Sequence, residues 1–147
     1  IVLNVYGHIS AEVSDHKDLQ SLINLPFISF HGFVNNEDIY KDNQLVLHLS
    51  KTEPLGRIYF EALSAGLPLI GFNAGGIGEI SSKIGLSRHL VEPGENESEE
   101  LAAKIIEVSS NLKAERTFLI AAMERARSVY NVDEYVRSMD RLLDPEI

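Results

Sequence analysis

One stretch of the chain, Thr52–Pro68, limits the possible folds more than any other. It lies between two short apolar runs, Leu45–Leu49 and Leu69–Phe72, and each run is typical of a buried strand. A proline and a glycine stand before a helical pattern and another proline ends it, so we predict a helix over about residues 57–65. The sequence therefore predicts a strand, a turn, a helix and a second strand, in that order.

The turn before this helix predicts an anion site. Backbone amides in the first turn of a helix lack intrahelical acceptors, and the helix dipole adds partial positive charge there. Gly56 and the residues after it are therefore expected to bind an anion such as phosphate. Glu53 precedes the helix and Glu61 lies within it, so the two carboxylates can border one pocket at different depths. By their spacing alone, two solvated carboxylates remain the alternative.

Composition excludes several classes of protein. The 147 residues, 44% of them hydrophobic, suit one globular domain with a core. A net charge of -9 opposes binding to nucleic acid and to anionic membranes. The chain has no cysteine, which fits a reducing compartment, and no apolar run approaches the roughly 18 residues of a spanning helix. We therefore predict a cytoplasmic domain that does not insert into a membrane.

The histidine, serine and glycine patterns do not indicate a metal site, a serine hydrolase or a dinucleotide-binding site. The five histidines show no paired ligand spacing, so we predict no metal, and no Gly-x-Ser-x-Gly elbow follows a strand. His48, inside an apolar run, is interpreted as a buried and hydrogen-bonded core residue, with a functional role as the alternative. The glycine-rich stretch Asn73–Gly78 fails the Gly-x-Gly-x-x-Gly fingerprint of dinucleotide binding, and Glu79 is predicted to begin the next helix.

The rest of the chain alternates strands and helices. The predicted strands are Ile1–Gly7, Phe27–Phe30, Leu45–Leu49, Leu69–Phe72 and Arg88–Val91. Helices are predicted between these strands, and amphipathic patterns predict three more, from Leu101, over Phe118–Val129 and over Val132–Leu143. This alternation predicts an α/β fold with a doubly wound parallel sheet, Rossmann-like in its topology.

Several motifs in order resemble those of one enzyme family. They are Glu-Pro-Leu-Gly at 53–56, Phe-Glu-Ala-Leu-Ser-Ala-Gly-Leu-Pro at 60–68 and Gly-Gly-Ile-Gly-Glu at 75–79. Together they resemble the donor-binding, C-terminal half of family 4 (group 1) retaining glycosyltransferases, which have the GT-B architecture of two Rossmann-like domains. The resemblance covers nearly all of residues 1–147. Because the chain begins at Ile1, inside a predicted strand and without a methionine, we expect an N-terminal acceptor-binding domain before it, and residues 132–147 are expected to form a helix that crosses to that domain.

The resemblance implies a role for particular residues. Glu53 is expected at the catalytic centre, where it hydrogen-bonds hydroxyls of the donor sugar and positions the sugar, and Glu61 is expected to bind the ribose diol. The donor diphosphate is expected at the start of the helix, which involves Leu55, Gly56, Arg57 and Ile58. Phe33 and Val34 are expected to wrap the nucleotide base, and for Phe33 a hydrophobic cover over its loop is the alternative.

The resemblance also implies the substrate and the partners. The donor would be a nucleoside diphosphate sugar, most simply a UDP- or GDP-sugar, and no cofactor or metal is expected. Retention is expected through front-face displacement assisted by the leaving phosphate. The family's Arg and Lys phosphate clamp lies upstream of Ile1, so we expect this chain alone to be inactive, and any attachment to a membrane surface would involve the missing domain. A non-catalytic nucleotide-sugar-binding or partner-binding subunit, and an epimerase or phosphorylase of the same two-domain shape, are the alternatives.

Overall fold

The computed structural model describes residues 1–9, 17–54, 56–131, 133 and 136–137, and the chain divides into two compact units, Ile1–Asp42 and Asn43–Ile147. The first unit contains β1 (Leu3–Tyr6), α1 (Lys17–Ile23), β2 (Ile28–Gly32) and α2 (Asn36–Lys41). The second contains β3 (Val46–His48), α3 (Arg57–Ser64), β4 (Leu69–Phe72), α4 (Gly75–Ile84), a 3₁₀ turn (Ser87–His89), β5 (Leu90–Val91), α5 (Glu97–Ser110) and α6 (Leu112–Val129).

The first unit is a parallel pair of strands connected by a helix. Leu3 of β1 pairs with Ile28 of β2, and the register shifts near the end of the pair, where Tyr6 lies opposite Gly32. The side chains described in this unit are all half-buried or exposed. The predicted strands and the helix predicted between them are therefore present here.

The second unit is organised around a three-stranded parallel sheet in the order β3-β4-β5. All four residues of β4 are buried, as expected for a parallel strand covered on both faces. On one face Ile70 and Phe72 pack with Val91 of β5 and with Leu101 and Val108 of α5. Helix α3, which also contacts β4, follows β3 directly, so the turn between β3 and α3 lies at the carboxyl end of the sheet.

A second core lies among the helices of this unit, and α6 contacts both α3 and α4. Beside it lies a buried charge network. His89 Nε2 is 2.6 Å from Glu115 Oε2 on α6, and Arg88 Nη2 is 3.0 Å from the other carboxylate oxygen. His89 and Glu115 are both almost fully buried. Burial lowers the pKa of His89, and the Glu115 carboxylate opposes part of that change.

Three predictions of secondary structure need correction or fall outside the described residues. Helix α4 begins at Gly75, so Glu79 lies in its second turn, 2.5 Å from Lys83, and does not begin the helix. Of the predicted strand Arg88–Val91 only the last two residues are extended, because the 3₁₀ turn occupies the rest. Most of the predicted helix Val132–Leu143 lies outside the described residues.

Within the described ranges, no helix is long and apolar enough to cross a membrane.

Candidate functional site

Glu53, in the turn between β3 and α3, accepts one hydrogen bond with its side chain and one with its backbone. Its Oε1 accepts a hydrogen bond from the Gly56 amide at 3.2 Å, and its carbonyl oxygen accepts one from the Gly76 amide at 2.8 Å. A Cβ on Gly75 would lie 2.5 Å from this same carbonyl oxygen, and Gly75 has a φ of +54°. Residue 75 is therefore a glycine because the turn before α3 and the start of α4 approach each other closely.

Gly56 is the residue that lets the chain enter α3. It is buried in a left-handed conformation, with φ 63° and ψ 36°, and its carbonyl oxygen accepts the Tyr59 amide at 2.8 Å. A Cβ on Gly56 would lie 3.0 Å from Ile77 Cγ1 of α4. Helix α3 begins at Arg57, as predicted, so the amides of Arg57 and Ile58 lie in the first turn, where a helix binds anions.

Behind this turn of α3 lies a buried phenol. Burial raises the pKa of Tyr59 to about 12, and the neighbouring Ser81 hydroxyl opposes part of the rise. The two hydroxyls lie close together, yet within the described part of the chain neither forms a hydrogen bond of acceptable geometry. Tyr59 therefore stays neutral at physiological pH and serves as core packing beneath the first turn.

Arg57 and Glu61 form a pair one helical turn apart. Arg57 Nη2 lies 3.4 Å from Glu61 Oε1, and the Arg57 side chain is 78% exposed. An exposed pair at this spacing is worth only about 0.3–0.5 kcal/mol. A ligand hydroxyl or phosphate that offers a better hydrogen bond can therefore displace it.

His48 differs from the sequence interpretation. It lies at the carboxyl end of β3, half-buried, and its Nε2 is shielded from solvent but has no hydrogen-bond partner among the residues that the structure describes. The nearest acidic atom is Glu53 Oε2, at 3.8 Å. The interpretation of His48 as a hydrogen-bonded core residue is therefore wrong. The available signal was a polar residue in an apolar strand, five positions before Glu53.

Two other predicted site residues belong to the first unit. Phe33 and Val34 follow β2 in the first unit, where the Phe33 side chain is 84% exposed and its ring lies 6.4 Å from that of His8, with 4° between the planes. An exposed aromatic face of this kind can stack on a base, and the roles of both residues stay predictions. Leu55 lies outside the described residues.

A cavity of about 230 Å³ lies at the opposite end of α3 from the Glu53 turn. Its lining consists of Leu63, Ala65, Gly66, Arg116, Leu119, Ile120 and Met123. This mainly apolar lining contains no carboxylate, so the cavity is not the predicted sugar site. Across the described ranges, no three His, Asp or Glu side chains are grouped so that they could hold a metal ion.

The parallel sheet with helices on its faces defines a class of α/β domain, and comparison with known proteins narrows that class to one family. The chain belongs to the glycosyl transferases group 1 family, whose model matches residues 1–125. HepE from Anabaena, solved in complex with UDP and glucose, is 26% identical, with a TM-score of 0.75. The alignment covers 97% of this chain and 40% of HepE. The same protein in complex with UDP-glucose gives a TM-score of 0.74 at 26% identity, again over 97% and 40% of the two chains.

A more distant solved structure also shares the fold. Sucrose-phosphate synthase from Thermosynechococcus elongatus is 24% identical, with a TM-score of 0.69 over 96% of this chain and 37% of that one. The comparison with curated proteins gave no match. The prediction of a Rossmann-like half of a GT-B architecture is confirmed, and the chain spans about two fifths of the solved chains that it resembles.

Proposed function

We propose that this chain is the donor-binding, C-terminal domain of a family 4 retaining glycosyltransferase, and that the whole protein transfers a hexose from a nucleoside diphosphate sugar to an acceptor. Membership of the glycosyl transferases group 1 family supports the proposal. The observation that carries it is the turn before α3, where the Glu53 carboxylate accepts the Gly56 amide and so lies beside the first turn of the helix.

The start of α3 provides the diphosphate site. The amides of Arg57 and Ile58 carry the partial positive charge of the helix end. As the glycosidic bond breaks, negative charge grows on the leaving diphosphate, and fixed donors at that point stabilise the transition state. The exposed Arg57 guanidinium can exchange its weak contact with Glu61 for a phosphate oxygen.

The two carboxylates bind different parts of the donor. Glu61 accepts hydrogen bonds from the ribose diol, and Glu53 accepts them from hydroxyls of the transferred sugar. Hydrogen bonds to a charged acceptor contribute about 1.5–3 kcal/mol each. Glu53 positions the sugar and is not a nucleophile, because the acceptor oxygen attacks from the face on which the diphosphate leaves and the leaving phosphate takes the acceptor proton.

We propose a UDP-sugar as the donor, with a GDP-sugar as the alternative. HepE was solved with UDP-glucose and with UDP and glucose, and its identity to this chain is 26%. The resemblance assigns Phe33 and Val34 to the base. It also assigns the acceptor site to an N-terminal domain, which agrees with the 40% of HepE that the chain covers, and it assigns a cationic phosphate clamp to a segment upstream of Ile1. We propose a cytoplasmic location, with membrane contact confined to that other domain.

A calorimetric panel tests the proposal. The full-length protein is titrated with UDP, GDP and ADP and with the glucose conjugate of each. We expect one base to be preferred, and UDP above all, because HepE was solved with that nucleotide. Product analysis with and without an acceptor pool completes the test. Failure to bind any of the six ligands, or turnover of the sugar nucleotide to an isomer without an acceptor, would contradict a transferase.

A further inference from the structure

The contact between His48 and Glu53 brings a shielded imidazole nitrogen close to a half-buried carboxylate without a hydrogen bond between them. His48 pairs with Gly71 across β3 and β4, and a Cβ on Gly71 would lie 2.4 Å from the His48 carbonyl oxygen. This close approach fixes the backbone at the end of β3. The imidazole Nε2 is shielded from solvent and is without a hydrogen-bond partner among the described residues, 3.8 Å from Glu53 Oε2.

This arrangement is unfavourable as it stands. A shielded polar atom without a partner has given up its hydrogen bond to water and gained none in return, and 3.8 Å exceeds the distance of a hydrogen bond. A movement of about 1 Å would bring Nε2 within hydrogen-bond distance of Oε2. The carboxylate can turn by that amount, because its other oxygen is held by one bond of 3.2 Å to the Gly56 amide.

We propose that His48 is a positioning residue for Glu53, an inference that rests on the proposed function. When the donor sugar binds, His48 Nε2–H donates to Glu53 Oε2 while the Gly56 amide continues to donate to Oε1. An ionised carboxylate only accepts hydrogen bonds, so the imidazole takes part as the tautomer that carries a proton on Nε2. With both oxygens held from the protein side, the remaining lone pairs of Glu53 are directed at the sugar hydroxyls.

The inference predicts a selective loss. The diphosphate is held by the first turn of α3 and the sugar by Glu53, so a defect at His48 weakens binding of the sugar nucleotide and leaves binding of the bare nucleotide unchanged. A residue that only supports the strand would weaken both equally. The ratio of the two affinities therefore separates a positioning role from a structural one.

The test uses three His48 variants of the full-length protein. His48→Gln extends an amide N–H to about the position of Nε2, His48→Asn reaches only the position of Nδ1, and His48→Leu offers no donor. We expect His48→Asn and His48→Leu to lower the affinity for UDP-glucose about tenfold, by loss of one charge-assisted bond, with UDP affinity within about twofold of wild type. His48→Gln should recover most of the loss. If a GDP- or ADP-sugar binds best to the wild-type protein, the His48 variants are titrated with that sugar nucleotide and its bare nucleotide in place of UDP-glucose and UDP.

Because Gln and Asn are matched amides, the comparison remains decisive even if His48→Leu does not fold. Equal affinities for UDP-glucose in the Gln and Asn variants would overturn the inference, and so would an equal loss for UDP. The double variant His48→Asn with Glu53→Gln should lose no more than Glu53→Gln alone, whereas additive losses would show independent roles. If Glu53→Gln itself leaves UDP-glucose affinity unchanged, the sugar contact in the proposed function fails and the inference fails with it. A loss in Glu53→Gln without one in His48→Asn overturns the inference alone.

Discussion

Glu61 contacts the exposed Arg57 side chain at 3.4 Å, in a pair of small energy. In Glu61→Ala, loss of this pair alone should change the free energy of unfolding by no more than about 0.5 kcal/mol. Affinity for the sugar nucleotide should fall at least tenfold, because the ribose diol loses a charged acceptor.

Calorimetry and circular dichroism on the full-length protein measure these two effects. Arg57→Ala, which breaks the same surface pair while keeping the carboxylate, is the control for the free energy of unfolding only, because the proposed function gives Arg57 a phosphate contact. Unchanged donor affinity in a folded Glu61→Ala protein would remove the ribose assignment.

Glu53→Gln keeps the shape of the side chain and removes its charge. Because the carboxylate is expected to hold the sugar as the diphosphate leaves, turnover should fall by two orders of magnitude or more, and affinity for bare UDP should change little. Steady-state kinetics and UDP titrations supply the two quantities. A parallel loss of both would assign Glu53 to the support of the turn, since its Oε1 also accepts the Gly56 amide.

The sequence predicts that Glu53 and Glu61 belong to the candidate site, but it predicts only part of what surrounds them. The positions of Glu53 and Glu61 around a helix start follow from Gly56 and the local apolar pattern. The His48 contact does not follow, because it depends on the path of the loop between His48 and Glu53. Sequence periodicity places a histidine in a strand and says nothing of which loop atom it faces.

The start of α4 requires a glycine at position 75. Gly75→Ala would place a Cβ 2.5 Å from the Glu53 carbonyl oxygen, at a φ of +54°. We expect it to reduce the free energy of unfolding by about 1–3 kcal/mol and to weaken donor binding as the Glu53 turn shifts. The matched control is Gly94→Ala, since a Cβ on Gly94 has no atom within 4 Å. Urea titration of the two variants checks this, and equal stabilities would contradict the close approach.

The 3₁₀ turn and α6 meet at His89, which gives the fold a pH dependence. Burial lowers the pKa of His89, so the unfolded chain binds more protons than the folded one below the ordinary histidine pKa of about 6.5. The stability that neutral His89 contributes is complete above that value and is lost as the pH falls. Glu79, Glu97 and Glu107, whose pKa values are lowered, lose their contributions only below about 4.5.

Urea unfolding at several pH values between about 5 and 7.5 measures this slope. We expect His89→Gln to flatten it, because the Gln amide can still donate a hydrogen bond to Glu115 from about the position of Nε2 but does not titrate. The same slope in the variant would show that other groups cause it.

The limits of sequence-based prediction differ between elements. Helix α3 and strand β4 are predicted within a residue of their bounds, because proline and glycine interrupt strong apolar patterns. Helix α4 is predicted to begin four residues too late, since its glycines read as a loop. At Gly75 the glycine is required by a contact distant in sequence, with the Glu53 carbonyl. Such crowding is set by tertiary structure and leaves no local signal.

For the whole molecule, we expect the isolated chain to fold and to bind UDP weakly without transferring sugar. The second unit has its own sheet, covered on both faces, and the start of α3 lies within it. Transfer requires the acceptor to be held against the donor in a closed, dry site, and the resemblance assigns the acceptor to the missing domain. Incubation of the chain with UDP-glucose and an acceptor pool, beside the full-length protein as control, measures this. Glycoside formation by the chain alone would show that the acceptor site lies within it.

The His89–Glu115 contact also gives the molecule an internal spectroscopic probe. An imidazole N–H held 2.6 Å from a buried carboxylate oxygen is strongly deshielded and exchanges slowly with water. It should therefore produce a proton resonance far downfield of the amide envelope, in a region with few other signals. Since the 3₁₀ turn and α6 come together only in the folded chain, the intensity of that single line reports folding of the second unit, without a label and in the presence of any ligand.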